Sequence, residues 1–211
     1  RLKPVARAWG GLLFELHACA FSLEHEPVRA QKSLWWSQEL QAAEQGSAKH
    51  PITRRLQEYS LAYGGLAAPL LDLAQQAPIR AGSSSALAGT LRPFADAVVR
   101  IEQGLFGGES ASHPDPVSAQ LLLMRLPHGL QAFDRALIPM NLLARHQSLE
   151  QVNDEQALLK DWLDEGGNWF RAAQTRFSQR RIHQLQSSKA PGISLGHVWD
   201  AWRAMRAKPQ A

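Results

Sequence analysis

Trp35 and Trp36 stand side by side in KSLWWSQEL, residues 32–40, a run otherwise made of good helix formers. Successive helical residues are about 100° apart. On that wheel Trp35, Trp36, Leu40, Ala42 and Ala43 share one broad arc, while Ser37, Gln38, Gln41, Glu44 and Gln45 share the other. Burying both indoles needs neighbours on two sides. The segment is therefore expected to be wedged into a multi-helix bundle rather than laid on its surface. Glu39 breaks the pattern, because it falls inside the tryptophan arc. A carboxylate there must find a partner or take up a proton. It either forms an ion pair or hydrogen bond that holds two helices, or it is a polar group lining a cavity.

The rest of the chain reads the same way. Alanine, leucine, glutamine, glutamate and arginine dominate, and no alternating strand or Asn-Gly hairpin signal appears. Helices are expected over about 5–23, 27–45 (ending at Gly46), 50–62 (before Gly64-Gly65) and 66–76. After a turn in APIRAGSSSA, one long helix is expected over 85–105, with Pro93 as a kink. GGESASHPDP, residues 107–116, is the most loop-like segment. Further helices follow over 117–126 and 129–144, then a long one from an Asp154 cap to about Gln186. Pro191-Gly192 interrupts, and Ser194 caps the last helix, which ends near Ala207. The expectation is one all-α domain over residues 1–211.

A hydrophobic share of 45% supports a real core, and a charged share of 20% argues against wholesale disorder. The net charge is +4, with eight histidines besides. That is compatible with an anionic small molecule or a membrane surface, and too weak a bias to imply nucleic acid. The single cysteine, Cys19, lies in HACAF and reads as a small buried side chain. No stretch approaches the roughly 20 apolar residues that cross a bilayer. No signal peptide is read, and what precedes Arg1 is left open.

Motifs that announce chemistry are scarce. DWLDE places Asp161, Asp164 and Glu165 on one helical face, where three carboxylates can share magnesium or simply be solvated, the commoner case. RFSQRR, residues 176–181, can meet phosphate or water. His113 and Asp115 in HPDP have no partner at metal-ligand spacing, and GxSxG, HExxH, CxxC and Gly-rich phosphate loops are absent from the sequence.

KSLWWSQELQAAEQGSAKHPITRRL, residues 32–56, resembles the squalene/phytoene synthase family. The matching positions are Lys32, Trp35, Trp36, Glu39, Leu40, Gly46, His50, Pro51 and Leu56, with a second echo in FDRALIPMNLLARH, residues 133–146. The resemblance implies an all-α isoprenoid-synthase fold, with helices around a central apolar cavity. It also implies prenyl diphosphates joined head to head, with two aspartate-rich motifs holding magnesium so that the diphosphate can leave. This chain departs from both motifs. FSLEHEP offers only Glu24 and Glu26 at the first, and NLLARHQSLE puts Arg145 or His146 at the second, with Glu150 the next acid. A cation there reverses the charge of the site.

Divergent branches without full aspartate motifs, including relatives that resemble assembly factors of mitochondrial respiratory complex I, are similar around Glu26-Pro27 and Trp35-Trp36. The expectation is thus a non-catalytic member that binds a lipid-like, isoprenoid ligand or a protein partner. The alternatives are a magnesium-dependent prenyltransferase using Glu24, Glu26 and Glu150 as weak substitute metal ligands, and a plain helical interaction module. No catalytic residue is assigned, and no cofactor is expected unless the enzyme reading holds, when magnesium is. Glu24, Glu39, His50, Arg54, Asn141 and Arg145 are the candidates for a cavity or ligand site, with Arg54 or Arg55 reaching either a helix-two carboxylate or an anionic ligand. The expected location is cytoplasmic, with peripheral membrane contact left open.

Overall fold

The computed structural model describes residues 2–23, 25–75, 80–106, 118, 132–146, 157–159 and 161–162. The described residues form helices joined by turns, with no strand among them, so the fold is all-α. The chain divides into two compact units, residues 1–78 with 91–114, and residues 79–90 with 115–211.

The first unit begins with α1 (Leu2–His17), which continues as a π-helical turn over Ala18–Ser22. Val5, Trp9, Leu12 and Leu16 recur at helical spacing and are all buried. Next comes α2 (Glu26–Glu44), with Pro27 in its first turn, where a missing N–H costs nothing. Its buried stripe is Arg29, Ser33, Trp36, Leu40 and Ala43, which packs on α4 (Ala67–Gln75) and on a 3-10 turn at Tyr63–Leu66. Short α3 (Pro51–Leu56) packs against α1, where the side chain of Ile52 lies against Gly11. Helix α6 (Arg92–Phe106) completes the unit and buries Phe94, Ala95, Val98, Ile101 and Leu105.

Three polar contacts help to tie this core. The Trp9 indole N–H donates to Glu102 Oε1 over 2.8 Å, joining α1 to α6. Arg29, itself buried, donates from Nε to the Ala74 carbonyl at 3.0 Å and from its guanidinium to the Leu23 carbonyl at 3.3 Å. The Ala74 carbonyl lies in the last turn of α4, where carbonyls lack helical partners and a positive charge is favoured.

The second unit contains α5 (Ser84–Thr90), α7 (Ala132–Leu137) and α8 (Met140–Arg145). The backbone N–H groups of Met140 and Asn141 donate to the carbonyls of Ala81 and Gly82, which satisfies the open end of α8. Leu87, Leu137, Ile138, Leu142, Leu158 and Trp162 are buried.

Three expected helices differ from those observed. The long helix over 85–105 is two, α5 and α6, and Pro93 sits in the first turn of α6, where it interrupts no helical bond. Thr90 closes α5 by donating from Oγ1 to the Leu87 carbonyl. The helix over 129–144 breaks at Ile138-Pro139, because proline cannot continue the hydrogen-bond ladder. The helix over 50–62 ends at Leu56 and passes through a 3-10 turn to Ser60, which adopts φ 50°. Tyr63 then donates its hydroxyl to the freed Leu56 carbonyl at 2.7 Å. The loop at 107–116 lies outside the described residues, as do the turn at 191–192 and the helix that Ser194 was expected to cap.

The stop at Gly46 is as expected. Gly46 has φ 74°, Ser47 N–H donates back to the Ala42 carbonyl and Gly46 N–H to the Ala43 carbonyl. This paired closure is a Schellman ending. Gly46→Ala is expected to cost about 1–2 kcal/mol, because an L side chain is strained there and no atom crowds the position to confuse the reading. Urea unfolding measures it, and an unchanged midpoint would be inconsistent with the left-handed turn.

Candidate functional site

The stretch that carries the resemblance folds as α2, a six-residue connection and α3. Trp36 is buried at 2% exposure, but Trp35 is 43% exposed, so the expectation that both indoles are enclosed is corrected. The physical reason is the 100° step: α2 has packed neighbours on its Ser33–Trp36–Leu40 stripe, and that stripe passes through one tryptophan only. Ser37, expected on the polar arc, is buried beside it. Trp35 packs edge-on against Trp36 with ring centroids 4.9 Å apart, and His50 lies edge-on to both, 5.0 Å from Trp36 and 5.9 Å from Trp35. The Trp36 Nε1–H is buried and has no hydrogen-bond partner among the described residues.

Glu39 is buried, and its Oε1 accepts three hydrogen bonds. The backbone N–H groups of Lys49 and His50 donate at 2.7 Å each, and Thr53 Oγ1 at 2.5 Å. Burial alone would raise its pKa. The hydrogen bonds from Thr53, His50 and Lys49, with the nearby His50 ring, outweigh it and hold the carboxyl below the ordinary value. Glu39 therefore clamps the entry of α3 onto α2 as an ionised acceptor.

His50 caps the same end, its Nδ1 accepting from Ile52 N–H at 3.3 Å. Lys32 pairs with Glu15 of α1 at 3.0 Å, and Arg55 with Glu58 three residues on at 2.9 Å. The expected bridge from Arg54 or Arg55 to a carboxylate of α2 is thus replaced by a local one, because Glu58 lies one turn away on the surface. Arg54 is exposed. Glu44, at the end of α2, accepts instead from Gly64 N–H at 2.8 Å. A Cβ on Gly64 would come 2.5 Å from that carboxylate, so a side chain there would push the exposed end of Glu44 aside.

Glu26 opens α2 and is exposed; Glu24 and Glu150 lie outside the described residues. Asn141 and Arg145 belong to α8, in the other unit, Asn141 in its first turn and Arg145 in its last. His146 follows, and its Nε2 lies 2.9 Å from Asp161 Oδ2. Asp161 thus has a histidine partner, while Asp164, Glu165, residues 176–181, His113 and Asp115 lie outside the described residues. Cys19 is a free, buried cysteine, as expected. Burial, opposed in part by Lys32, pushes its thiol up to about 11, so at neutral pH it is protonated and unreactive.

The buried polar residues Arg29, Glu102 and Thr53 were not singled out in the sequence. Thr53 has one signal there: it lies near the start of a helix opened by His-Pro, where a hydroxyl can reach open backbone groups. Arg29 and Glu102 sit at core positions of their helical stripes, but nothing local announces their partners.

The chain matches no family model, no curated protein and no solved structure. Among the described residues no helix is long and apolar enough to cross a membrane, and no three His, Cys, Asp or Glu side chains gather as a metal site.

Proposed function

We propose that this protein is a divergent squalene/phytoene synthase-like helical protein that binds, rather than transforms, a lipid-like isoprenoid ligand. The observation that supports the reading is how the Lys32–Leu56 stretch spends its polar groups. Glu39 clamps α3, His50 caps it, Lys32 pairs with Glu15 and Arg55 pairs with Glu58. Glu39 and Lys32 hold helices together and His50 and Arg55 serve local contacts, whereas an ionisation site for a diphosphate needs charged groups that converge on the ligand.

Farnesyl and geranylgeranyl diphosphate, with magnesium or manganese, test the proposal against a competent synthase as control. The expected result is no pyrophosphate release, together with saturable quenching of tryptophan fluorescence on titration with a farnesyl ligand. Metal-dependent pyrophosphate release would overturn the reading in favour of a prenyltransferase. Absence of both signals would overturn the ligand and leave a protein partner.

A further inference from the structure

We infer that the outer face of α2, with the cations beside it, docks on a bilayer surface that carries anionic phospholipid headgroups. Pro27, Val28, Gln31, Leu34, Trp35 and Gln38 occupy one arc of α2 of about 120°. All six are exposed, and none is charged. Val28, Leu34 and Trp35 are among the large apolar side chains that the fold leaves outside, at 50, 43 and 43% exposure. Trp35 reaches the His50 ring at one end of this face. Exposed Lys49 precedes His50 in the chain, and exposed Arg54 stands one turn above it, its N–H donating to the His50 carbonyl at 2.9 Å.

Neither Lys49 nor Arg54 has an ion pair among the described residues. Two carboxylates of this region have other partners: Glu39 accepts from backbone N–H groups and Glu58 pairs with Arg55. The patch is thus apolar and tryptophan-bearing, with exposed Glu26 at its N-terminal end and, near His50, two exposed cations that make no ion pair among the described residues. An indole is favoured where an apolar layer meets a wet one. A lysine or arginine near an anionic leaflet adds about fivefold in affinity per charge. The net charge of +4 has the same sign. The inference is independent of any ligand held inside the helices, since it uses an outer face only.

Cosedimentation tests it with vesicles of phosphatidylcholine alone and of phosphatidylcholine with phosphatidylserine in a three-to-one ratio. The expected result is binding to the mixed vesicles, weak binding to the neutral ones, and release at high salt. Lys49→Ala and Arg54→Ala should each weaken binding about fivefold. Trp35→Ser should weaken it further and remove a blue shift of the emission. Circular dichroism confirms that each variant is folded, and both cation side chains are exposed. Wild-type protein left in the supernatant with mixed vesicles would overturn the inference, as would binding indifferent to all three substitutions. The first of these outcomes would assign the face to a protein partner. Neither outcome bears on farnesyl binding, which is read in a separate assay without vesicles.

Discussion

Glu39→Ala is expected to destabilise the first unit by on the order of 3 kcal/mol, because it removes one acceptor from three donors at once. The buried Thr53 hydroxyl can turn to the His50 carbonyl, 3.0 Å away, and the Lys49 and His50 amides, only partly buried, recover some solvation. Glu39→Gln keeps an oxygen but loses its charge, and charge-assisted bonds are roughly twice as strong as neutral ones, so about half the loss is expected. The pH dependence has a fixed sign. Glu39 titrates in the fold below its ordinary value of 4.5. Its contribution is therefore complete above that value and fades as pH falls through the lower folded pKa. Urea unfolding of the wild type and Glu39→Gln across this acid range measures both effects. Equal stability at neutral pH, with matching acid profiles, would show that the clamp contributes nothing.

Trp36→Ala should cost about 3–5 kcal/mol, the range for emptying a buried aromatic site, whereas Trp35→Ala should cost about 1 kcal/mol. The two residues are identical and adjacent, so composition and propensity change alike. What differs is exposure, 2% against 43%. Chemical denaturation of the two variants reads the contrast directly. Similar losses would mean that Trp35 is enclosed in solution.

Much of the helical order was readable from local pattern. The span of α2 and its stop at Gly46 follow from proline at the start, apolar periodicity and a left-handed glycine, all local signals. The failures differ in cause. The break at Ile138-Pro139 carries its own signal, the proline, whereas the break at Leu91 divides a segment whose apolar periodicity runs on, and a wheel cannot show where a chain leaves one packing partner for another. The boundary at Leu91 is also where the chain passes from one compact unit to the other.

The site was half visible for a related reason. Glu39 stood out because it is an acid within an apolar arc, but its partners lie ten to fourteen residues on, past a turn whose geometry no spacing encodes. Arg29 and Glu102 were harder still. Each meets a group far along the chain, at Ala74 and Trp9, and such meetings are decided by how helices pack.

The Trp9–Glu102 bond spans 93 positions, nearly the whole of the first unit, and the chain visits residues 79–90 of the other unit before it returns with α6. Closing so long a loop is entropically slow compared with pairing neighbouring helices. On the ribosome, α1 to α4 thus emerge and collapse with the seat of α6 still bare, and the N-terminal helix waits for the last one to arrive. A nascent chain stalled anywhere before Phe106 shows apolar side chains that the finished unit hides, the form that chaperones hold and proteases cut.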